Sequence, residues 1–465
     1  MIDEMEQLEQ LCAAVPSPDR QRLTAARAQL STAIRRETAG HAARRPRLAV
    51  SLALRHRWLS RRWLGWVAPL AAAAAVTGVI LGSQGVFSPV HRPVPSSSTH
   101  DPGLGLAHPA TAYVAGQSGT VTPILTTTNT ALAPIRLGKG PDVGQNASAI
   151  VFLPDGKTAY VLTNTLAGGP GTVIPIRTAT NTALTPITVG QDPRALAITP
   201  DGKTIYVTNY QSGTVTPILT ATNTALAPVK VGGNPWAIAI TPDGKTAYVA
   251  NLQSGTVTPI RTATNTALAP IKVGRDPWPI AITPDGSTAY VLNGGSGTVT
   301  PIRTATNTAL APINVPEGSF NMAITPDGTT IYVLDLGSSQ HKQGLVIPIR
   351  TATNTALKPI TIGPAWPFVI TIAITPDSKT AYVTNAYTDT VTPIRTATNT
   401  AQAPIKVGES PLAIAITPDG QTAYVVNFTS GPGQPGTVIP IQTATNQTLR
   451  PIKVGSLAGT IAITP

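Results

Sequence analysis

The stretch AIAITPDGKTAYVANLQSGTVTPIRTATNTALAPIKVG, from Ala237 to Gly274, holds four short β-type runs in a row. AIAIT (strand a), TAYVAN (b), GTVTPI (c) and APIKVG (d) are rich in β-branched and small apolar residues. Turn chemistry divides them: P-D-G-K, then a variable Gly/Ser loop, then T-A-T-N-T. The passage is one copy of a motif that fills the chain from Leu104 onward. Its P-D-G/S aspartates stand at Asp155, Asp201, Asp243, Asp285, Asp327, Asp377 and Asp419, with spacings of 46, 42, 42, 42, 50 and 42. A period near 42 residues belongs to four-stranded propeller blades and not to helical solenoids.

The tyrosine of run b recurs at Tyr113, Tyr160, Tyr206, Tyr248, Tyr290, Tyr332, Tyr382 and Tyr424, so the repeat predicts an all-β, eight-bladed β-propeller. The first copy opens on LGLAHPATAYV, with a weak strand a, whereas the chain ends on a good one, TIAIT at Thr460 to Thr464. The C-terminal strand is expected to complete the first blade and remove the open edges. Each run c carries a proline (Pro123, Pro175, Pro217, Pro259, Pro301, Pro348, Pro393 and Pro440), which lacks a ladder donor. Strand c is therefore expected to end or bulge there, leaving d short and loosely paired.

The runs YVTN (Tyr382 to Asn385, Tyr206 to Asn209) and AITPDGKTAYV resemble the YVTN-type β-propeller repeat of prokaryotic surface and secreted proteins. The resemblance covers residues 104–465 and implies the propeller fold. It does not choose among adhesive, surface-layer and other roles, because one fold carries many functions.

Composition agrees with a turn-rich strand protein: 40 Gly, 45 Pro and only 12% charged residues in 465. One cysteine, Cys12, excludes an intramolecular disulfide and a Cys-rich metal site. The formal charge of +12 is no sign of nucleic-acid binding. Residues 1–87 hold twelve Arg, no Lys and six acids in dense array, and the remaining cations are thinly spread.

Trp63 to Phe87 (WLGWVAPLAAAAAVTGVILGSQGVF) is 25 residues without a charge. About 20 suffice to cross a bilayer as a helix. Arg55, Arg57, Arg61 and Arg62 precede it, and Trp58, Trp63, Trp66 and Phe87 sit at its ends. These features predict a single transmembrane helix with a cytoplasmic N-terminus. A cleaved signal peptide is disfavoured by the long leading segment and the lack of an A-x-A site. Four segments result: a basic, helical cytoplasmic tail (1–62), the membrane helix (63–87), a Pro/Ser-rich linker (88–103) and the extracytoplasmic propeller (104–465). The topology is similar to that of membrane-anchored anti-sigma regulators of actinobacteria, without their His-x3-Cys-x2-Cys motif.

No nucleophile elbow, P-loop, dinucleotide fingerprint or metal-ligand spacing occurs, so no catalytic residue, metal or cofactor is expected. The copies differ in the b–c loops and the d-to-a connections, which share one face of a propeller, while the a–b and c–d turns on the other face are nearly constant. The variable segments carry Arg194, Tyr210, Trp236, Arg275, Trp278, Phe320, Trp366, Phe368, Tyr387 and Phe428. Exposed aromatics and arginines are the usual anchors of binding surfaces. These ten are the candidate ligand-binding residues, the alternative being that the rings plug the edges of neighbouring blades. Arg177, Arg261, Arg303, Arg350 and Arg395 after run c, with Lys230, Lys272, Lys406 and Lys453 in run d, form a basic series toward the outer strands. It reads either as a solubilising rim or as a contact for anionic wall polymers or lipid headgroups.

The expected function is a membrane-anchored binding module at the cell surface, with an extracellular protein, glycan or cell-wall polymer as partner and no nucleic acid. A structural envelope or surface-layer-type protein without a discrete pocket is the alternative, and a propeller hydrolase or lyase the third reading.

Overall fold

A computed structural model describes residues 110–138, 146–164, 169–337, 343–365, 371–428 and 434–465. The expected cytoplasmic tail, membrane helix and linker lie outside the described residues. Among the described residues no helix is long and apolar enough to cross a membrane.

The chain folds into eight antiparallel sheets, seven of them each built from one repeat and the first completed by the C-terminal strand. In the fourth blade strand a (Pro235–Ile240) pairs with b (Thr246–Asn251), and b with c (Thr256–Arg261). The innermost strands of neighbouring blades pack against one another around the ring. Ring closure follows the expectation. Ala458–Ile463 pairs with Thr111–Gly116, joining Val114 to Ile461 and Tyr113 to Ala462, so the C-terminal strand is the inner strand of the first blade.

The outer part of each blade departs from the expectation. Strand c neither ends nor bulges at its proline: Thr256–Arg261 runs straight through Pro259, which lies opposite Tyr248. The interruption falls instead on strand d, which becomes two pieces, Thr266–Ala267 and Ile271–Lys272, both paired to c. Pro259 has no N–H to offer outward, and its carbonyl accepts from the Leu268 amide at 2.8 Å, after which the chain arches over Ala-Pro before returning. The same bond recurs at every repeat proline. Each blade is thus a five-piece sheet and not a plain four-stranded one.

The core lies between blades, where facing sheets interdigitate. Leu162 and Val173 of the second blade meet Ile205, Val207 and Ile218 of the third in one buried cluster. At the constant face a second bond ties blade to blade. The Tyr206 hydroxyl donates to Asn265 Oδ1 in the next blade at 2.6 Å, and Tyr248 reaches Asn307 in the same way. Each acceptor is the asparagine of the T-A-T-N-T turn, held at positive φ (52° at both Asn265 and Asn307), a conformation Asn tolerates better than most residues. The turn aspartates are structural too. Asp201 Oδ1 accepts from the Thr199 hydroxyl at 2.7 Å and the Lys203 amide at 3.1 Å. Partial burial opposes the charged form, but these bonds outweigh it and hold the carboxyl below its ordinary range.

Candidate functional site

The variable face is built on two backbone devices. Where the chain enters strand a, the residue before its first position has a left-handed φ: Asp192 50°, Asn234 56°, Asp276 51° and Ser410 50°. In each of these the following proline opens strand a, where its missing N–H does no harm. The carbonyl of the left-handed residue accepts from the first residue after strand b, as Asp192 does from Tyr210 (3.0 Å) and Ser410 from Phe428 (3.0 Å). The d-to-a connection and the b–c loop are thereby stitched together within one blade.

The second device is a β-bulge at the next position. In the fourth blade Pro235 pairs with Asn251 and Ala237 with Ala250, leaving Trp236 as the extra residue. Arg194 is the extra residue in the third blade, Leu412 in the eighth, Ser148 in the second and Gly459 in the first. In the fifth the register shifts across Trp278 and Pro279. A bulge re-aims a side chain without altering the rest of the sheet. This register shift recurs in six of the eight blades, and the residue it re-aims is serine, arginine, tryptophan or leucine, or in the first blade a glycine.

The asparagine of YVTN secures the arrangement. Asn209 is fully buried, accepts from the Gly190 amide at 3.0 Å, and donates to Thr214 and Thr216 at 3.0 and 2.9 Å. A Cβ at Gly190 would come within 2.6 Å of the Asn209 side chain, so the connection needs glycine there. Strand b is thus bonded to the following blade at one end, through tyrosine, and to the preceding connection at the other, through asparagine.

Four of the ten predicted residues come together. The Arg194 guanidinium lies 5.0 Å from the ring centre of Tyr210 and 4.7 Å from that of Trp236. Tyr210 meets Trp236 edge-on at 5.4 Å, and Trp236 meets Trp278 at 4.9 Å. Asp192 pairs with Arg194 at 2.7 Å. This stack bridges the third, fourth and fifth blades. Trp236 and Trp278 stand in strand a and not on loops as expected, and Trp236 is only 8% exposed. Edge packing therefore accounts for Trp236 better than ligand contact does.

The other candidates are dispersed. Arg275 is exposed, 3.6 Å from an equally exposed Glu317, a contact of little energetic weight. Phe320 is half-buried against Leu334 and its neighbours just before strand a of the sixth blade. Phe428 is half-buried, and Tyr387 is 51% exposed on its b–c loop. Trp366 and Phe368 lie outside the described residues.

Sequence reasoning missed Ser148, Leu412 and Gly459 as equivalents of Trp236, although alignment on the repeat tyrosine would have found them. It also missed the sixth blade's substitutions, where Ser319, Asn321 and Asp335 stand where the fourth has Pro235, Ala237 and Asn251. All three are buried, and Ser319 Oγ and Asn321 Nδ2 have no hydrogen-bond partner. Among the described residues no three His, Cys, Asp or Glu stand close enough to hold a metal ion. A cleft of about 610 Å³ lies elsewhere, between Ala183–Ile187 and Thr222–Asn223 at the outer edges of the second and third blades.

With this geometry in hand, comparison with known proteins bears on the fold. Residues 110–300 match the model of the family described as Lactonase, 7-bladed beta-propeller. That is less than half of the chain, which has eight blades. No curated protein matches. Among solved structures, hydrazine synthase of Kuenenia stuttgartiensis is similar at 24% identity, over 63% of this chain and 95% of that one, with a TM-score of 0.51. The dihydro-heme d1 dehydrogenase NirN, in complex with DHE, is similar at 15% identity over 80% of this chain and 78% of its own, with a TM-score of 0.62. At these identities the likeness is one of fold.

Proposed function

We propose that the protein is a binding module of the YVTN type, anchored in the membrane through residues 63–87, whose extracytoplasmic propeller engages a ligand with its variable face. The observation that carries the reading is the strand-a bulge. A shared bulge places Ser148, Arg194, Trp236 and Leu412 at one level of the ring, with Trp278 in a wider register shift of the fifth blade, so that four residue types occupy equivalent positions. Individual side chains on a uniform scaffold are what recognition needs and what a purely architectural repeat does not. Within that face the Arg194–Tyr210–Trp236–Trp278 stack acts as a rigid wall, and Arg275, Phe320, Tyr387 and Phe428 are the accessible contacts. The partner is an extracellular protein, glycan or cell-wall polymer.

The test is sedimentation of the full chain with isolated peptidoglycan sacculi at 0.5 M salt, where long-range attraction is screened. A variant combining Arg275→Ser, Tyr387→Ser and Phe428→Ser is expected to bind at least about tenfold more weakly, the scale of a lost hot spot. Its melting temperature should change little. Binding equal to that of the unaltered chain would remove the case for this face.

A hydrolytic reading stands second, favoured by the lactonase-family match over residues 110–300. Lactone hydrolysis by the unaltered chain would support it. A structural envelope role is the remaining alternative, and it predicts that the triple variant binds sacculi normally.

A further inference from the structure

The outer wall of the propeller has a charge pattern that the variable face does not share. Every ion pair among the described residues lies on one of the two end faces. Lys157, Lys203, Lys245 and Lys379 pair with their own turn aspartates, and Arg194 and Arg275 with acids of the variable face. The c and d strands contain no acidic residue in any blade. Their cations, such as Arg261 and Lys272 of the fourth blade and Arg395 and Lys406 of the seventh, are exposed and have no ion-pair partner. The positions across the ladder are threonines: Arg261 faces Thr266, Lys272 faces Thr256, Arg395 faces Thr400 and Lys406 faces Thr390. Those are the places where an opposite charge would stabilise a sheet.

Protection of a sheet edge does not explain this belt. Lysine on an edge strand guards against pairing with another chain. Here the edge is already blunted, because each proline of strand c breaks d into short pieces. A belt of one sign around the whole circumference, kept without counter-charge, repels itself and attracts anions.

We propose that this outer wall is a second interaction surface, which holds a flexible linear polyanion bearing phosphate groups. Arginine is prominent in the belt, and its planar fork suits phosphate oxygens. The belt is convex and closed, so a flat bilayer can touch only a small arc of it, whereas a flexible chain can follow it from blade to blade. The surface borders the variable face at strand d, where Lys406 Nζ donates to the Thr388 carbonyl of a b–c loop at 3.0 Å, while its arginines stand at the other end of strand c, as Arg261 does opposite Thr246.

The test uses the full chain, long-chain inorganic polyphosphate as probe, and titration at several salt concentrations. A rim variant carries Arg261→Gln, Lys272→Gln, Arg303→Gln, Arg350→Gln, Arg395→Gln and Lys406→Gln. A control carries Lys157→Gln, Lys203→Gln, Lys245→Gln and Lys379→Gln on the constant face. The arginines of residues 1–62 are common to all three proteins and cancel in the comparison. The rim variant should bind at least about tenfold more weakly at 0.1 M salt, with a shallower salt dependence, since each lost phosphate contact lowers the slope by about 0.7. The control should match the unaltered chain. Equal binding by the rim variant or an equal loss in the control would overturn the proposal.

Discussion

The hydroxyl of Tyr424 donates to Oδ1 of Asn129 at 2.6 Å, across 295 residues of sequence. It is the same bond that joins Tyr248 to Asn307, and here it links the last blade to the first. A neutral hydrogen bond of this kind is worth about 1 kcal/mol net. Tyr424→Phe and Tyr248→Phe should therefore destabilise the propeller equally, by about that amount, in urea unfolding. No effect from Tyr424→Phe beside a clear one from Tyr248→Phe would mean that the ring is open in solution.

The eight repeat tyrosines make stability depend on alkaline pH. Burial, and after it the neighbouring turn aspartate in blades such as the third and fourth, raises the Tyr206 and Tyr248 hydroxyls from 10.0 to about 12. The folded state holds these protons more tightly than the unfolded chain does. Their contribution is thus complete below pH 10.0 and is lost as pH rises through about 12. Ultraviolet titration should show the repeat phenols ionising together with loss of β circular dichroism. Ionisation near 10 with the fold intact would contradict the burial described.

Gly116 stands where the other blades have mostly asparagine, and restoring the repeat residue should do harm. A Cβ at Gly116 would fall on the carbonyl oxygen of Leu457, in the connection that leads into the closing strand. Gly116→Asn is expected to cost on the order of 1–3 kcal/mol, the range of overpacking. A neutral or stabilising result in thermal unfolding would show that the C-terminal strand does not close the first blade as described.

Trp236 and Tyr387 separate wall from contact. Trp236 is 8% exposed within the aromatic stack, so Trp236→Ala should cost about 3–5 kcal/mol. Tyr387 is 51% exposed, and Tyr387→Ser should stay within about 0.5 kcal/mol of the unaltered chain. Denaturant midpoints decide between the two roles, and equal midpoints would undo the assignment.

The propeller, its eight blades and the closure by TIAIT were legible because they follow from periodicity, and periodicity is a property of the sequence itself. The broken strand d was half legible. Pro259 announces a missing donor, but which neighbour gives way depends on the side its nitrogen faces. The Tyr–Asn bonds join residues tens of positions apart and become visible only when the blades are set side by side. The face that carries the candidate residues was legible, but the placement of its rings was not. Trp236 and Trp278 sit among loop-like residues in sequence, yet the bulge draws them into strand a, and three successive blades bring Arg194, Tyr210, Trp236 and Trp278 together.

The central claim is that recognition belongs to the variable face. Hydrogen–deuterium exchange of the full chain, with and without soluble fragments of peptidoglycan at 0.5 M salt, tests it most directly. Protection confined to the b–c loops and d-to-a connections, including 190–196, 274–280 and 386–390, is the predicted result. Protection on the P-D-G-K and T-A-T-N-T turns, or none anywhere, would contradict it.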